Sequence, residues 1–484
     1  MKEKPGTTPK PVAGFILPYF KVDQFAPSSG NALDVLRRMN IPVLTIESAA
    51  ADNLLPALYS ASVGYDNVII MHSDSEFYSF DENAALYENF IKYKADYGYG
   101  ETHPSGVVFE IIRREALPVM ENLRVQKKIT VSRNIFHDIA EIDLNMFDIE
   151  NLYSSINLRT HRLSFFSDTQ QSMYTISRVK ELLQGKVYND EVTFKTMAEI
   201  IEANPVMLHT IPKYFELEIT TECRQRCIFC PRTLIAPETA YMEKDTAGQI
   251  IEKITSFSDK PVFALSGMGD PLCHPDLIDI VGMITNSGAE CIIETSGDGL
   301  TREMADRIIA MPDGGRVSVI FSIDASREDL YTALRPGTTP FYDILDQITY
   351  TLLRKNSNTW VQIVKMNENF SHLVEYHAFF EKYTKNIIIQ KYNRYAGMLP
   401  ERRQNPMEPF EKIHCWHLKR SMYIDVRGNV RMCKQDARTA NPLGSLPEHA
   451  LSDIFAHQHD ALAKHISGGL DMCSSCDEYY TFTF

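Results

Sequence analysis

Cysteine is missing from the first 222 residues of this 484-residue chain, and all nine cysteines follow that point. Seven of the nine lie between residues 223 and 230 or beyond residue 414. Thiols clustered this way in a reducing compartment read as metal ligands rather than as a disulfide framework. No apolar run approaches the ~20 residues that span a bilayer. The N-terminus, Met-Lys-Glu-Lys-Pro-Gly-Thr-Thr-Pro-Lys, also lacks the apolar core of a signal peptide. The expectation is a cytoplasmic protein without membrane attachment. Positive charge is in deficit, with 49 Lys plus Arg against 63 Asp plus Glu and a net charge of −14, which argues against a broad grip on nucleic acid or anionic lipid. The remaining composition, 44% hydrophobic and 23% charged, is that of an ordinary globular protein. The length allows about two to four domains.

Residues 1–165 read as an α/β domain. Val12–Leu17, Ile41–Ile46 and Val68–Met71 are short apolar runs rich in β-branched residues, with helical spacing between them, which predicts a parallel sheet. His72-Ser-Asp-Ser-Glu-Phe77 follows the third run, where such sheets bind ligands. Asp74 is there either a ligand for a nucleotide-bound divalent cation or a plain turn and capping residue. With Tyr97–Glu110, this strand resembles the nucleotidyltransferases that activate acidic sugars. A Gly-rich phosphate loop is lacking, however: the place after the first strand reads Pro18-Tyr-Phe-Lys-Val-Asp23. The expectation is a degenerate domain that binds or scaffolds. Residues 166–212 read as a helical linker, with apolar spacing over Ile176–Leu183 and Phe194–Ile201 and breakers at Gly185 and Asn189-Asp190.

From 213 to 405, six β-like runs alternate with helical ones: Phe215–Thr220, Val262–Ser266, Cys291–Thr295, Val317–Ile323, Trp360–Lys365 and Ile387–Lys391. The order predicts a partial (β/α)6 barrel of the TIM type, with reactive residues at strand carboxyl ends. Cys223, Cys227 and Cys230 follow the first run at C-x3-C-x2-C spacing. Three thiolates on one short loop can share a metal centre but leave it one ligand short. The second run ends in Ser266-Gly267-Met268-Gly269-Asp270-Pro271, where glycines allow close backbone approach and a carboxylate can face a cation. Thr295, Ser322, Asp324 and Gln362 offer polar groups suited to a ribose, and Arg335 is a cation able to take a carboxylate. A structural zinc site is the alternative for the cysteine triplet. Cys273 and Cys291, without partner spacing, read as buried thiols.

Over residues 213–400 these motifs resemble the radical S-adenosylmethionine (SAM) enzymes. The resemblance implies a [4Fe–4S] cluster on Cys223, Cys227 and Cys230, with the fourth iron left for the amino and carboxylate groups of SAM. It implies Phe229 near the adenine and Gly267, Met268, Gly269, Asp270 and Pro271 as the loop that binds the SAM amino group, with Met268 and Asp270 departing from the family's Gly-Gly-Glu-Pro. Thr295, Ser322, Asp324 and Gln362 fall among the SAM-binding strand ends, and Arg335 where the carboxylate is often held. The implied chemistry is reductive cleavage of SAM to methionine and a 5′-deoxyadenosyl radical that abstracts hydrogen from substrate.

Residues 406–484 contain Cys415, Cys433, Cys473 and Cys476. Met422–Val426 and Val430–Cys433, joined by Arg427-Gly428-Asn429, predict a hairpin that carries Cys433. Four thiolates close a site, and zinc is again the alternative. The pattern C-x12-G-x4-C … C-x2-C resembles the SPASM and twitch extensions, and implies one auxiliary [4Fe–4S] cluster on these four residues. The whole layout is similar to the spirochaete group called spiro-SPASM proteins. The expected function is oxidation or cross-linking of a peptide or protein side chain, with an electron donor such as flavodoxin or ferredoxin and no nucleic-acid or membrane partner. Oxidation of a small alcohol or sugar by the same chemistry, and iron–sulfur sensing without turnover, stand as alternatives. Nucleotidyl transfer is disfavoured by the missing phosphate loop. His274, Lys391, Asn393 and Arg394 are further polar candidates near the substrate.

Overall fold

The computed structural model describes residues 12–17, 30–44, 46, 53–143, 145–183, 193–311, 316–337, 339–355, 358–404 and 414–480. The Pro18–Asp23 stretch, Gly185 and Asn189-Asp190 lie outside them. The chain divides into two compact units, Met1–Met207 and Leu208–Phe484. The segment expected as a linker contributes its helices Gln170–Leu182 and Phe194–Ala203 to the first unit. The cysteine-rich tail belongs to the same unit as the strands of 213–405. Among the described residues no helix is long and apolar enough to cross a membrane.

The first unit is built on six strands: β1 (Val12–Leu17), β2 (Val43–Leu44), β3 (Asn67–His72), β4 (Tyr97–Gly100), β5 (Glu110–Arg113) and β6 (Ile149–Leu152). Their order in the sheet is β2-β1-β3-β5-β4-β6. β5 runs antiparallel to both neighbours, so the sheet is mixed and not wholly parallel as expected. Successive residues of β1 and β3 feed opposite cores, Ala13, Phe15, Val68 and Ile70 on one face and Val12, Ile69 and Met71 on the other. Burial on both faces is why these strands read as unbroken apolar runs. Asp74 is no open cation ligand: Arg133 donates to its two oxygens at 2.8 and 2.6 Å. Such a bidentate guanidinium neutralises the carboxylate.

In the second unit, β7 (Tyr214–Leu217), β8 (Val262–Leu265), β9 (Glu290–Thr295), β10 (Val317–Ser322), β11 (Thr359–Lys365) and β12 (Ile387–Lys391) lie side by side in chain order, all parallel. β13 (Ser421–Ile424) adds in parallel to the outer edge of β7, and β14 (Asn429–Arg431) and β15 (Pro442–Ser445) continue antiparallel. Because β7 pairs with β8 on one side and β13 on the other, it does not join β12. Strands β7 to β13 form an open arc of parallel strands, which β14 and β15 extend antiparallel. The expected tail hairpin is present as β13–β14, but it extends the central sheet instead of standing apart, and Cys433 lies just past the end of its second strand.

Period-two alternation makes this arc two-faced. Phe215, Leu217, Phe263, Leu265, Ile293, Val319, Phe321, Val361 and Ile363 point into one apolar core. Helices Lys244–Phe257 and Leu277–Asn286 cover that core with Ala247, Ile250, Ile251 and Ile254 and with Leu277, Ile280, Val281 and Ile284. Both sets follow the i, i+3, i+4, i+7 spacing of an amphipathic helix. The intervening strand residues, Glu216, Glu294, Ser322, Gln362 and Gln390, face the concave side and line a cavity there. A polar inner face on buried strands needs internal partners, and those partners build the site.

Candidate active site

The cavity opens at the carboxyl ends of β7 to β12 and is lined by Cys223, Cys227, Phe229 and Cys230 from the loop after β7. Cys230 N–H donates to Cys227 O at 3.1 Å, a tight turn that gathers the last two thiols. The loop is latched to the segment after β10: Arg226 N–H donates to Pro336 O at 2.8 Å, Ile228 N–H to Leu334 O at 3.0 Å, and Gln225 Nε2 to Tyr331 Oη at 2.6 Å. Burial pushes the Cys223 and Cys227 thiols up to about 11. Metal binding must therefore displace their protons.

Gly267, Met268, Gly269 and Asp270 wrap one side of the cavity. Gly269 lies so close to the chain after β7 that a Cβ there would sit 2.2 Å from Thr220 O and 2.7 Å from Glu222 O. Only glycine fits. Asp270 does not face the cavity with free lone pairs. Its Oδ1 accepts from Leu272 N–H and Thr295 Oγ1 at 3.0 and 2.7 Å, and its Oδ2 from Ser296 N–H and Oγ at 2.9 and 2.6 Å. The carboxylate thus ties the Gly-rich loop to the end of β9. Pro271 is buried at the start of the 3-10 turn Pro271–Cys273 and does not line the cavity.

Thr295, Ser322 and Gln362 line the cavity, and Gln362 Nε2 donates to Ser322 Oγ at 2.9 Å and Glu294 Oε1 at 3.2 Å. Asp324, expected at a ribose, is fully buried behind it. Its Oδ2 pairs with Arg335 and its Oδ1 accepts from Val364 N–H, so its carboxylate is spent on internal contacts. Arg335 keeps a place on the cavity wall. Its Nη1 lies 3.0 Å from Gln225 Oε1 and 3.4 Å from Cys227 Sγ, and its guanidinium carbon lies 5.0 Å from the Phe229 ring centre. Burial opposes its charge, but Asp324 holds it cationic well above the ordinary range.

Of the further polar candidates, Lys391 and Asn393 reach the cavity. His274 is buried, with Nε2 on Met242 O at 3.0 Å and Nδ1 accepting from Asp276 N–H. Arg394 pairs with Glu401 at 3.3 Å. Glu294, at the strand end whose carboxylate suits a ribose, lines the cavity as well, and four charged groups carry no site role in the sequence reading: Glu216, Glu218, Arg431 and Lys434. Glu218 accepts Met268 N–H at 2.6 Å and pairs with Arg431 at 3.1 Å, binding the Gly-rich loop to the tail. Lys434 Nζ lies 2.8 Å from Glu216 Oε2. The available signal was acids spaced by two on an otherwise apolar central strand, Tyr214-Phe-Glu-Leu-Glu218.

A second cavity is lined by Cys415, Cys433, Cys473 and Cys476, so the four tail cysteines come together. Glu478 N–H donates to Cys476 Sγ at 3.3 Å, the kind of contact that tunes a metal-bound sulfur. None of the nine cysteines is joined in a disulfide. Among the described residues no three His, Cys, Asp or Glu side chains gather closely enough for a single metal ion.

Residues 217–380 match the Radical SAM superfamily, and residues 415–477 match SPASM, an iron–sulfur cluster-binding domain. The chain is 30% identical over 364 residues to an uncharacterized protein of Treponema pallidum (strain Nichols), covering 72% of this chain and 98% of the other. It is 27% identical over 190 residues to the AdoMet-dependent heme synthase of Methanosarcina barkeri (strain Fusaro), covering 36% and 52% of the two chains. The crystal structure of Streptococcus suis SuiB bound to precursor peptide SuiA is 12% identical, covers 63% of this chain and 81% of its own, and gives a TM-score of 0.45. The chain belongs to the radical SAM superfamily and is a radical SAM enzyme with a C-terminal SPASM domain.

Proposed function

We propose that this radical SAM enzyme oxidises or cross-links a peptide or protein side chain, with one auxiliary [4Fe–4S] cluster taking up or relaying the electron. The observation that carries this reading is the pairing of two thiol-lined cavities with one residue, Lys434, in the wall of both. Cys223, Cys227 and Cys230 would hold the SAM-binding cluster, and Cys415, Cys433, Cys473 and Cys476 the auxiliary one. The two cysteines left over support a single auxiliary cluster: Cys291 is buried in the core, and Cys273 closes the turn after Asp270. When loaded, the first site supplies one-electron cleavage of SAM and a carbon radical able to remove hydrogen from substrate. Gly267 to Gly269 would seat the amino group, Thr295, Ser322 and Gln362 the ribose, and Phe229 the adenine. Asp270 and Asp324 would act behind them by fixing the loop and Arg335. An electron donor such as flavodoxin or ferredoxin fits this scheme, and the match to a Treponema chain accords with the spirochaete layout.

Next to the SAM cavity lies a chamber of about 410 Å³ lined by Tyr214, Ile292, Ile320, Ile388, Lys391 and Tyr480. It shares Glu294, Gln362, Gln390, Lys391, Asn393 and Lys434 with the SAM cavity. A single side chain carried on a peptide would fit, with its apolar stem against the isoleucines. The same volume also lies within the roughly 300–1,000 Å³ of small-ligand pockets. That favours a second reading, oxidation of a small alcohol or sugar. Deuterium transfer separates the two: the reconstituted enzyme is incubated anaerobically with SAM, dithionite and either deuterated peptides or deuterated sugars. Label in 5′-deoxyadenosine from peptides alone supports the first reading. Label from sugars alone refutes it.

A further inference from the structure

Lys434 has a position shared by no other described residue: it lines the cluster cavity, the tail cavity and the chamber. It follows Cys433 directly, so its backbone is continuous with one of the four tail thiols. Its ammonium reaches back to β7, where it meets Glu216 Oε2 at 2.8 Å. That oxygen is buried and accepts no hydrogen bond among the described residues, so the ammonium is its compensation. Glu216 stands beside Tyr423 in the β7–β13 register, which places the acid at the seam between the central strands and the tail. Tyr214 and Tyr395 flank the same space, and burial pushes both hydroxyls well up, so they contribute no charge near neutral pH.

A charge in such surroundings acts on neighbouring redox centres with little screening. Adding an electron to a cluster is favoured by a nearby cation and opposed by a nearby anion, and local charge is one of the levers on cluster potentials. We propose that the Lys434–Glu216 pair sets the reduction potential of the auxiliary cluster, with Lys434 raising it through its neighbour Cys433 and Glu216 restraining that effect. Lys434 is thus a positioning residue for electron uptake. It acts through a cluster ligand and not on substrate. The inference rests on the reading that the tail holds an iron–sulfur cluster.

The test is a potentiometric titration, followed by electron paramagnetic resonance, of the full chain reconstituted anaerobically with iron and sulfide. A Cys227→Ala background leaves only the tail cluster to titrate. Lys434→Met is expected to lower the reduced-to-oxidised ratio at fixed potential about tenfold, a shift of about 59 mV for one electron. Glu216→Gln is expected to raise it by a similar factor. The double variant Lys434→Met with Glu216→Gln, which leaves no unpaired buried charge, should return toward the starting value, and Lys434→Arg should stay near it. Potentials that do not move, or that move in the same direction in both single variants, overturn the proposal. Iron and sulfide content separates the two ideas: an intact tail cluster with an unmoved potential sinks the proposal alone. A tail that takes only zinc sinks the cluster reading and the proposal with it.

Discussion

Asp270 and Asp324 carry formal charge into the reactive cavity's surroundings without offering it to a ligand. Four donors surround Asp270, and Asp324 lies beneath Arg335 with both oxygens engaged. Removing one partner of such a buried pair leaves an uncompensated charge, at a cost of roughly 3–5 kcal/mol. Asp324→Ala should therefore lower stability by about that amount in urea unfolding, because Arg335 loses its main counter-ion. A variant as stable as the parent would contradict this role. Gly269→Ala tests the neighbouring loop differently. Its Cβ would meet two backbone carbonyls that cannot yield cheaply, so SAM affinity measured by calorimetry should fall at least tenfold, about 1.4 kcal/mol. The type of residue was legible at both positions, since spacing and chemistry marked Asp270 and Asp324 as site residues. Their orientation was not. Whether a carboxylate faces a ligand or a neighbouring loop depends on donors brought from distant strands, such as Ser296 and Val364, which the local sequence does not name.

At the level of elements, the six strands β7 to β12 of the second unit were legible, because each is a short apolar run set between helical segments. Ile387–Lys391 coincides with β12 and Val12–Leu17 with β1. What escaped was partnership. β5 is as apolar at Ile111-Ile112 as the parallel pair β1 and β3, and nothing in it signals reversal. β13 looks like half of a local hairpin, and its parallel pairing with β7 is decided across some two hundred residues of chain. Within the first unit, β5 carries a buried carboxyl, Glu110. Burial pushes the Glu110 carboxyl up to about 7, while the hydroxyl of Tyr97, 2.5 Å away, works in the opposite direction. A carboxyl whose folded value lies above its unfolded one stabilises the fold fully below pH ~4.5 and loses that contribution as pH rises through about 7. The calorimetric transition of the first unit should weaken across this window, by about 3 kcal/mol. Glu110→Gln should flatten the dependence. An unchanged slope in that variant would assign the effect elsewhere.

For the molecule as a whole, the grouping of seven cysteines into a set of three and a set of four was readable from spacing, and the structure places the two sets in two cavities. The charged network that joins them was not readable. Glu216, Glu218, Arg431 and Lys434 meet only when the tail strand docks on β7, and the pairs Glu218–Arg431 and Glu216–Lys434 then connect the Gly-rich loop and β7 to the tail. If each cavity takes a [4Fe–4S] cluster, anaerobic reconstitution should load about eight irons per chain. Cys227→Ala and Cys433→Ala should each lose about four. Loss of all iron in either variant would show that the two sites do not fill independently. Cleavage of SAM in the Cys223-Cys227-Cys230 cavity is read out by chromatography after the reconstituted chain is mixed with dithionite and SAM. The parent chain is expected to release 5′-deoxyadenosine and methionine without added substrate, and Cys227→Ala to release neither. A parent chain that carries its iron yet releases no 5′-deoxyadenosine would contradict cleavage in this cavity.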